Sequence, residues 1–376
     1  MTSSARRPTP LTTKLAEQIR HEGPISVADY MRTCLHDRDH GYYRKQRAIG
    51  RDGDFVTAPE ISQVFGELIG LWCAVVWQQM GSPPSIRLVE LGPGRGTLMR
   101  DALKAARAVP DFCRALRVHL VESNALLIEQ QRATLKNETV PIAWAVDLDT
   151  KAAGDRPAIV IANEFLDTIP VTQWVFHDAH WRIRRVGLDT AGLLSFTHGN
   201  PDPNAPLPPG IPAEPQEGDI FETRCGALVD WAGKLAALGA PLAALVIDYG
   251  HLQSAIGDTL QAIRAHRYED PLAEPGEADL TAHVDFAEFG AEMARYGFCL
   301  DGPVTQAAFL GSLGIVERAS RLMAANPDKA AAIEGAVARL MAAGGMGSRF
   351  KAVGVRGKGL PPLPGFEAVD IGRAGN

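Results

Sequence analysis

The sequence predicts an α/β fold built on a mostly parallel sheet. Two observations carry this expectation: apolar segments of strand length recur from Ile86 onward, and segments of helical character stand between them. The strand-like segments are 88–91, 116–122, 143–147, 158–162, 243–248, 298–300 and 350–355. A parallel strand pair needs a long crossover connection, usually a helix, so this alternation is typical of a parallel sheet. The unbroken apolar run at 158–162 indicates a central strand that is buried on both faces.

The first strand leads directly into a glycine-rich turn. Glu90 is the acid near the end of the strand, and Gly92, Gly94 and Gly96 follow at alternate positions. Glycine has no side chain to keep a ligand away from the backbone, and free N–H groups at a helix start favour an anionic or polar ligand. In an open α/β sheet such a turn faces the crevice in which ligands bind. We therefore expect a nucleotide-type pocket near residue 90.

The spacing of the glycines distinguishes between the classes of nucleotide that the pocket could bind. The dinucleotide fingerprint G-x-G-x-x-G needs a third glycine where this chain has Thr97. The order G-x-G-x-G after Glu90 is instead that of the glycine-rich loop of methyltransferases that use S-adenosylmethionine (SAM). The loop favours SAM, and it leaves a dinucleotide and a purely structural tight turn open.

Two further strands end in an acid. Glu122 follows the second strand, where a carboxylate is placed to accept both ribose hydroxyls of a nucleoside, and such charge-assisted hydrogen bonds are strong. Asp147 follows the third strand and could accept the adenine amino group. For each residue the alternative is a solvated carboxylate at a strand end.

The composition of the chain argues against several classes of protein. The chain has 376 residues with 46% hydrophobic and 22% charged residues, which is typical of a globular protein, and a net charge of −6 that argues against a nucleic-acid partner. Its five cysteines are scattered without a C-x-x-C pair, so we expect neither a disulfide framework nor a metal site. The longest apolar stretch, 68–77, is too short to span a membrane.

The pattern also suggests how the chain is divided. Residues 1–85 read as an N-terminal helical layer, and 86–376 as the α/β domain. Within that domain two short strand-like segments and a proline-rich stretch interrupt the alternation. We interpret this interruption, at about 172–224, as an inserted β-rich cap.

Five blocks of sequence carry a family likeness, in order along nearly the whole chain. They are GDFVTAPEISQVFGE (53–67), ELGPGRG (90–96), ANEFLD (162–167), IDYGH (247–251) and GEADLTAHVDF (276–286). Together they resemble the MidA family of SAM-dependent methyltransferases, which includes the mitochondrial complex I assembly arginine methyltransferase.

The resemblance implies a class I (Rossmann-like) methyltransferase with a seven-stranded, mostly parallel sheet. It implies SAM as cofactor, S-adenosylhomocysteine as product, and arginine of a partner protein as target. That partner would be a subunit of the NADH dehydrogenase, in the assembly of respiratory complex I. The chain would then be cytoplasmic in a bacterium or in the mitochondrial matrix of a eukaryote, without a membrane span and with a homodimer left open. Gly53, Asp54 and Phe55 would contact the cofactor.

An arginine target sets a chemical requirement. A guanidinium stays protonated at neutral pH, so a carboxylate beside it would orient the group and accept the released proton. The loop after the fourth strand offers Asn163, Glu164 and Asp167, and Asp248 and His251 follow the fifth strand. We expect Asn163 to hold the amino acid end of SAM or the substrate, and the other four to be catalytic candidates. Ordinary turn and loop roles remain open for each.

Three rival functions are weighed against this one. Nucleic-acid amino-methyltransferases carry N/D-P-P-Y/F after the fourth strand, whereas this chain has Asn163-Glu164-Phe165-Leu166 without the prolines. A NAD-dependent dehydrogenase lacks support because the third glycine is missing. A non-catalytic assembly factor that binds SAM and a partner would keep the same pocket, so the sequence leaves it open.

Overall fold

The computed structural model describes residues 7–44, 57–148, 156–208, 211–212 and 214–366. Its α-helices are α1 (Pro10–Glu22), α2 (Val27–His36), α3 (Ala58–Ile61), α4 (Gln63–Gln79), α5 (Thr97–Ala106), α6 (Pro110–Ala115), α7 (Ala125–Thr134), α8 (Cys225–Ala236), α9 (Phe286–Arg295), α10 (Gln306–Ser312), α11 (Ile315–Ala325), α12 (Ala330–Met341) and α13 (Met346–Arg349). Its strands are β1 (Ile25–Ser26), β2 (Ile86–Leu91), β3 (Leu116–Val121), β4 (Ile142–Ala145), β5 (Ala158–Asn163), β6 (Thr172–His177), β7 (His180–Leu188), β8 (Leu194–Pro201), β9 (Ile220–Thr223), β10 (Leu242–His251), β11 (Gln261–Arg264), β12 (Arg267–Glu269), β13 (Asp279–Thr281), β14 (Val284–Asp285), β15 (Cys299–Thr305) and β16 (Phe350–Arg356).

Two compact units make up the chain. The sheet unit contains the described residues of Thr57–Phe165, Ala232–Tyr249 and Met293–Asn376. The second unit contains the described residues of Met1–Val56, Leu166–Trp231 and Gly250–Glu292. The domain boundaries predicted from the sequence, at residue 85 and at about 172–224, stay predictions. None of the described helices has the length and apolar character that crossing a membrane requires.

The sheet unit is built on seven strands in the order β15-β16-β10-β5-β2-β3-β4. Neighbours from β10 to β4 pair in parallel, whereas β16 pairs antiparallel with both β10 and β15. β16 is therefore the one reversed strand of the seven. The seven-stranded, mostly parallel sheet implied by the family resemblance is confirmed.

The core strands follow from their apolar sequence. All six residues of β2 and all six of β5 are buried, as expected of strands that are covered on both faces. On one side α4 packs against α5 so closely that a Cβ added to Gly70 would lie 2.3 Å from the carbonyl oxygen of Ala102. Gly70 thus permits an approach of the two helices that any larger residue would block.

The second unit contains two smaller antiparallel sheets. In the first, β1, β7, β6 and β9 are neighbours and β8 pairs with β7. An aromatic cluster lies within this unit: Trp174 stacks on Phe221 with ring centroids 5.8 Å apart, and Trp181 meets Phe221 edge-on. In the second sheet β11 lies between β12 and β13.

The two short strand-like segments that the sequence shows within 172–224 correspond to β6 and β7. The stretch 251–280 shows no strand pattern in the sequence, but it contains β11 and β12 and the start of β13. β11 buries only Ala262 of its four residues and β12 buries none, so neither shows an alternation of apolar and polar residues that could be recognised.

Candidate functional site

The turn after β2 has the backbone that glycine permits. Gly92, Gly94 and Gly96 have φ angles of 59°, 53° and 79°, all in the left-handed region that side chains disfavour. A Cβ on Gly92 would also lie 3.1 Å from the Phe165 ring. We call residues 92–96 the glycine loop. It enters α5 through Gly96, which makes no side-chain cap, so the first N–H groups of this helix gain no partner from a capping side chain.

Glu90 is a buried acid within β2, two residues before the loop. Its side chain is 3% exposed, and Oε2 has no hydrogen-bond partner among the described residues. Burial raises the pKa of Glu90 to about 8, because the charged form loses its hydration. A ligand ammonium beside this carboxyl would supply the missing donor and favour the ionised form.

Glu122 follows β3 and is held by its own chain. Its Oε1 accepts a hydrogen bond of 2.8 Å from the backbone N–H of Asn124, and the side chain is buried. A carboxylate oxygen accepts more than one hydrogen bond, so these contacts are compatible with a further donor such as a hydroxyl. The structure therefore places a pre-oriented carboxylate at the end of the second strand.

Gln131 is a residue of this region that sequence reasoning missed. Its Nε2 donates to the carbonyl oxygen of Gly94 (2.8 Å) and lies 3.4 Å from Oε2 of Glu122, while Oε1 accepts from the Trp144 indole (2.9 Å). This fully buried amide on α7 thus joins the glycine loop to Glu122, just after β3, and to Trp144 on β4. One available signal was its position on α7 four residues after the buried Leu127, on the same helix face.

Asp147 lies just beyond β4 in a different environment. Its side chain is 65% exposed, and Oδ2 is 2.8 Å from the ammonium of Lys234. Burial acts to raise the pKa of Asp147, but the hydrogen bond and charge of Lys234 outweigh it, so the pKa lies below its ordinary value. Contact of Asp147 with adenine stays a prediction, and this carboxylate already has a cationic partner.

The loop after β5 is fixed by Glu164. This residue has a φ of 50°, which is uncommon for a residue with a side chain. Its Oε1 accepts from the backbone N–H of Ala58 (3.0 Å) and lies 3.3 Å from Nδ2 of Asn163. Glu164, rather than the N-cap residue Thr57, therefore supplies the side-chain cap of α3. Asn163 is buried, and its Oδ1 has no partner among the described residues.

Asp248 is fully buried near the end of β10. Its Oδ2 accepts from the backbone N–H of Phe165 (3.1 Å), and its Oδ1 from that of Tyr249 (2.9 Å). These bonds tie the loop after β5 to the neighbouring strand. The contacts describe a residue that positions the loop, and a catalytic role for Asp248 stays a prediction.

His251 ends β10 and faces an acid within the second unit. Its Nε2 lies 3.7 Å from Oδ2 of Asp285, whose Oδ1 accepts from the N–H groups of Ala287 and Glu288. Burial acts to raise the pKa of Asp285, but its interactions with the nearby His251 and Ser254 side chains and the backbone of Glu288 outweigh burial, and the pKa is lowered. Asp285 is therefore ionised at neutral pH and is held rigidly beside the imidazole.

Asp167 belongs to an acidic cluster of the second unit. Asp167 is buried, with 5% of its surface exposed. The other members of the cluster are Asp279 and Tyr43, whose hydroxyl donates to Oδ1 of Asp279 at 3.0 Å. Burial raises the pKa of Tyr43 well above its usual range, and the charges of Asp279 and Asp167 add to the effect. Tyr43 and Asp279 were not among the predicted site residues, although Asp279 lies in the last of the five sequence blocks.

The strand register aligns much of the predicted cofactor site. Leu91 of β2 pairs with Val121 of β3 and with Ala162 of β5, and Ile247 of β10 pairs with Asn163. Because these strands are parallel, the residues that follow them share the carboxyl edge of the sheet, where ligands bind in open α/β sheets. The residues so aligned are Gly92, Gly94, Glu122, Asn163, Glu164 and Asp248. Gly53, Asp54 and Phe55 lie outside the described residues.

Comparison with known proteins shows which family this chain belongs to. A family model described as S-adenosyl-L-methionine-dependent methyltransferase matches residues 68–303, more than half of the chain. The chain belongs to this methyltransferase family. The methyltransferase is 36% identical over 395 residues to "Protein arginine methyltransferase NDUFAF7, mitochondrial" of Xenopus tropicalis, covering 95% of this chain and 89% of the relative. The human protein of that name is 34% identical over 341 residues, covering 84% and 76%.

A solved structure supports both the fold and the cofactor. A superfamily member from Burkholderia thailandensis, bound to S-adenosyl-homocysteine, superposes with a TM-score of 0.81 at 26% identity, covering 97% of this chain and 98% of that one. The methyltransferase therefore has the predicted Rossmann-like class I fold and uses SAM. The residues present suit this cofactor, because Glu90 Oε2 and Asn163 Oδ1 are buried acceptors without a described partner and SAM carries an ammonium group.

Proposed function

We propose that this methyltransferase transfers a methyl group from SAM to an arginine side chain of a partner protein. The observation that carries the proposal is its 34–36% identity, over most of the chain, to proteins named protein arginine methyltransferases. The relatives are also named mitochondrial, which favours the matrix for a eukaryotic chain and leaves the cytoplasm for a bacterial one. The proposed partner is a subunit of the NADH dehydrogenase, and methylation would serve the assembly of complex I.

The cofactor is proposed to bind along the carboxyl edge of the sheet. Glu90 and Asn163 would accept hydrogen bonds from the ammonium of SAM, because each offers a buried acceptor that lacks a described partner. Glu122 would accept the ribose hydroxyls, and Asp147 the adenine amino group. Gly92 and Gly94 would allow the cofactor to lie against the backbone.

The polar residues that are not proposed to contact SAM are assigned to the arginine substrate. When bound, SAM supplies a methyl group on a positively charged sulfur. The target guanidinium must be aligned with that methyl and must lose one proton as its nitrogen forms the new bond. Glu164 and Asp167, three residues apart in the chain, are proposed to orient the guanidinium through charge-assisted hydrogen bonds.

His251 is proposed to take the proton. It lies three residues beyond Asp248 on the same strand, and the ionised Asp285 faces its Nε2. An Nε2–H directed at Asp285 leaves the lone pair on Nδ1, and the carboxylate stabilises the imidazolium that forms. A positioned histidine of this kind contributes about 100-fold or more to the rate of proton transfer steps.

The main alternative is an assembly factor that binds SAM and a partner without methylating it. Quantitative mass spectrometry of respiratory-complex proteins, with and without the gene, separates the two functions. The proposal expects a methylarginine that disappears when the gene is deleted and returns with the wild-type gene. If complex assembly fails on deletion while no methyl mark changes, the assembly-factor function replaces the proposed one.

A further inference from the structure

A second group of polar side chains lies around the turn between β6 and β7. His177, Asp178 and Glu217 each offer one metal-ligating atom, and these atoms lie within 4.8 Å of one another. The ring of His198 on β8 lies beside that of His177, with centroids 4.4 Å apart. None of these four residues belongs to the proposed methyl-transfer site.

The local backbone explains why these side chains converge. Asp178 and Ala179 have φ angles of 48° and 60°, as a two-residue hairpin turn of the primed type requires. The backbone N–H of Asp178 donates to Oε2 of Glu217 at 3.1 Å, and Nδ1 of His177 contacts Oε1 of the same carboxylate. The turn therefore holds Glu217 between its own backbone and an imidazole.

The charges of the group favour a cation. Two carboxylates stand beside two imidazoles, and Nε2 of His177 lies 3.5 Å from Oδ2 of Asp178. Arg182, at 3.8 Å from Asp178, offsets one negative charge. One carboxylate charge is then left among groups that act as metal ligands when the histidines are neutral.

We propose that His177, Asp178 and Glu217 form a binding site for a divalent transition-metal ion of the zinc type. Imidazole and carboxylate together suit Zn²⁺ and its neighbours, whereas Mg²⁺ and Ca²⁺ prefer all-oxygen sites. This site goes beyond methyl transfer and does not depend on it.

A metal ion at this position would join two separate segments of the second unit. His177 and Asp178 lie at the β6–β7 turn, and Glu217 lies shortly before β9. The ion would therefore fasten the segment that leads into β9 to the β6–β7 turn. Binding to the folded chain alone raises its stability by mass action, so the expected role is structural.

Calorimetric titration of the full chain with zinc chloride at pH 7.5 tests the proposal. We expect one ion per chain, and at least ~10-fold weaker binding for His177→Ala, because even partners of metal ligands are worth that much. His266→Ala is the matched control, since His266 is an exposed histidine at positive φ in another hairpin turn of the same unit. It should bind zinc like the wild type.

A second variant and a second measurement distinguish the loss of a metal ligand from misfolding of the variant. Glu217→Gln changes an exposed side chain, so it should fold and still bind zinc more weakly. Zinc should raise the melting temperature of the wild type and of His266→Ala, but not that of His177→Ala. Absence of stoichiometric zinc binding, wild-type affinity in both ligand variants, or equal binding of Mg²⁺ would each overturn the proposal.

Discussion

The carboxylate of Glu164 accepts a 3.0 Å hydrogen bond from the backbone N–H of Ala58, the first residue of α3. Glu164 therefore connects the loop after β5 to the start of a helix, from a backbone conformation with a φ of 50°. One oxygen of the carboxylate serves this cap, and the proposed contact with a substrate guanidinium is a separate role of the same side chain. Structural and catalytic roles of Glu164 can thus be separated by substitution.

Glu164→Gln should keep the cap and slow catalysis. The amide oxygen of glutamine accepts from Ala58 as the carboxylate does, so stability and SAM affinity should stay near wild type. Methyl transfer should fall by about 100-fold, because the charge that orients the guanidinium is lost. Glu164→Ala is the comparison variant and should also lose about 1 kcal/mol of stability with the cap. Full turnover by Glu164→Gln would remove Glu164 from the catalytic candidates.

Gly94→Val should abolish SAM binding. Gly94 has a φ of 53°, so a β-branched side chain would strain the glycine loop and would also occupy the space proposed for the cofactor. Gly335→Val is the matched control, since Gly335 lies in α12 with open space around its Cβ position. Calorimetry should find no binding to the first variant and wild-type affinity for the second. Undiminished binding to Gly94→Val would place the cofactor elsewhere.

Glu90→Gln should weaken SAM binding. It should also remove the part of the decrease in unfolding free energy that the wild type shows as the pH rises. Burial raises the pKa of Glu90 to about 8 from an ordinary 4.5, so the folded chain holds this proton more tightly than the unfolded chain. The stabilisation from this group is complete below about pH 4.5 and is lost as the pH rises through about 8.

Urea unfolding of the ligand-free protein from pH 5 to 8.5 checks this behaviour. Wild type should lose stability relative to Glu90→Gln over that range, since glutamine does not titrate. SAM affinity at pH 7.5 should fall by at least ~10-fold in the variant, because a hydrogen bond to a charged group is lost. Parallel pH profiles for the two proteins would show that Glu90 is not the titrating group.

Gln131→Ala should loosen the glycine loop without unfolding the sheet. The substitution removes the donor to the Gly94 carbonyl and the acceptor for the Trp144 indole. We expect SAM affinity to fall by about 10-fold, since a buried partner group is left unsatisfied. Gln130→Ala tests the neighbouring, half-buried glutamine on the same helix and should bind normally. Equal affinities would exclude Gln131 as an anchor of the loop.

His251→Ala should slow methyl transfer by about 100-fold and leave SAM affinity unchanged, because the proton acceptor is lost while the proposed cofactor contacts remain. Asp285→Asn should act in the same direction but more weakly, since asparagine can still cap α9 and lacks the charge that faces His251. His21→Ala, at an exposed position of α1, is the control. Wild-type turnover in His251→Ala would assign proton transfer to another residue.

The sequence predicts the sheet well because its signals there are local. Continuous apolar runs identify β2 and β5, and an acid followed by alternate glycines identifies the glycine loop. Contacts between residues that are far apart in the chain leave no such local pattern in the sequence. Glu164 capping Ala58 joins residues that are 106 positions apart, and Tyr43 meets Asp279 across 236. Only the fold brings such pairs together, so a single sequence indicates the residue types without their partners.

Arginine methylation by this protein is tested by incubating the purified enzyme with methyl-labelled SAM in a lysate from cells that lack the gene. Mass spectrometry then identifies the labelled protein and residue, with the Gly94→Val variant as the blank. The wild-type enzyme should place label on arginine of a specific protein, and the variant should place none. Label on another residue type or on a small molecule, or no label at all from an enzyme that binds SAM, would contradict it.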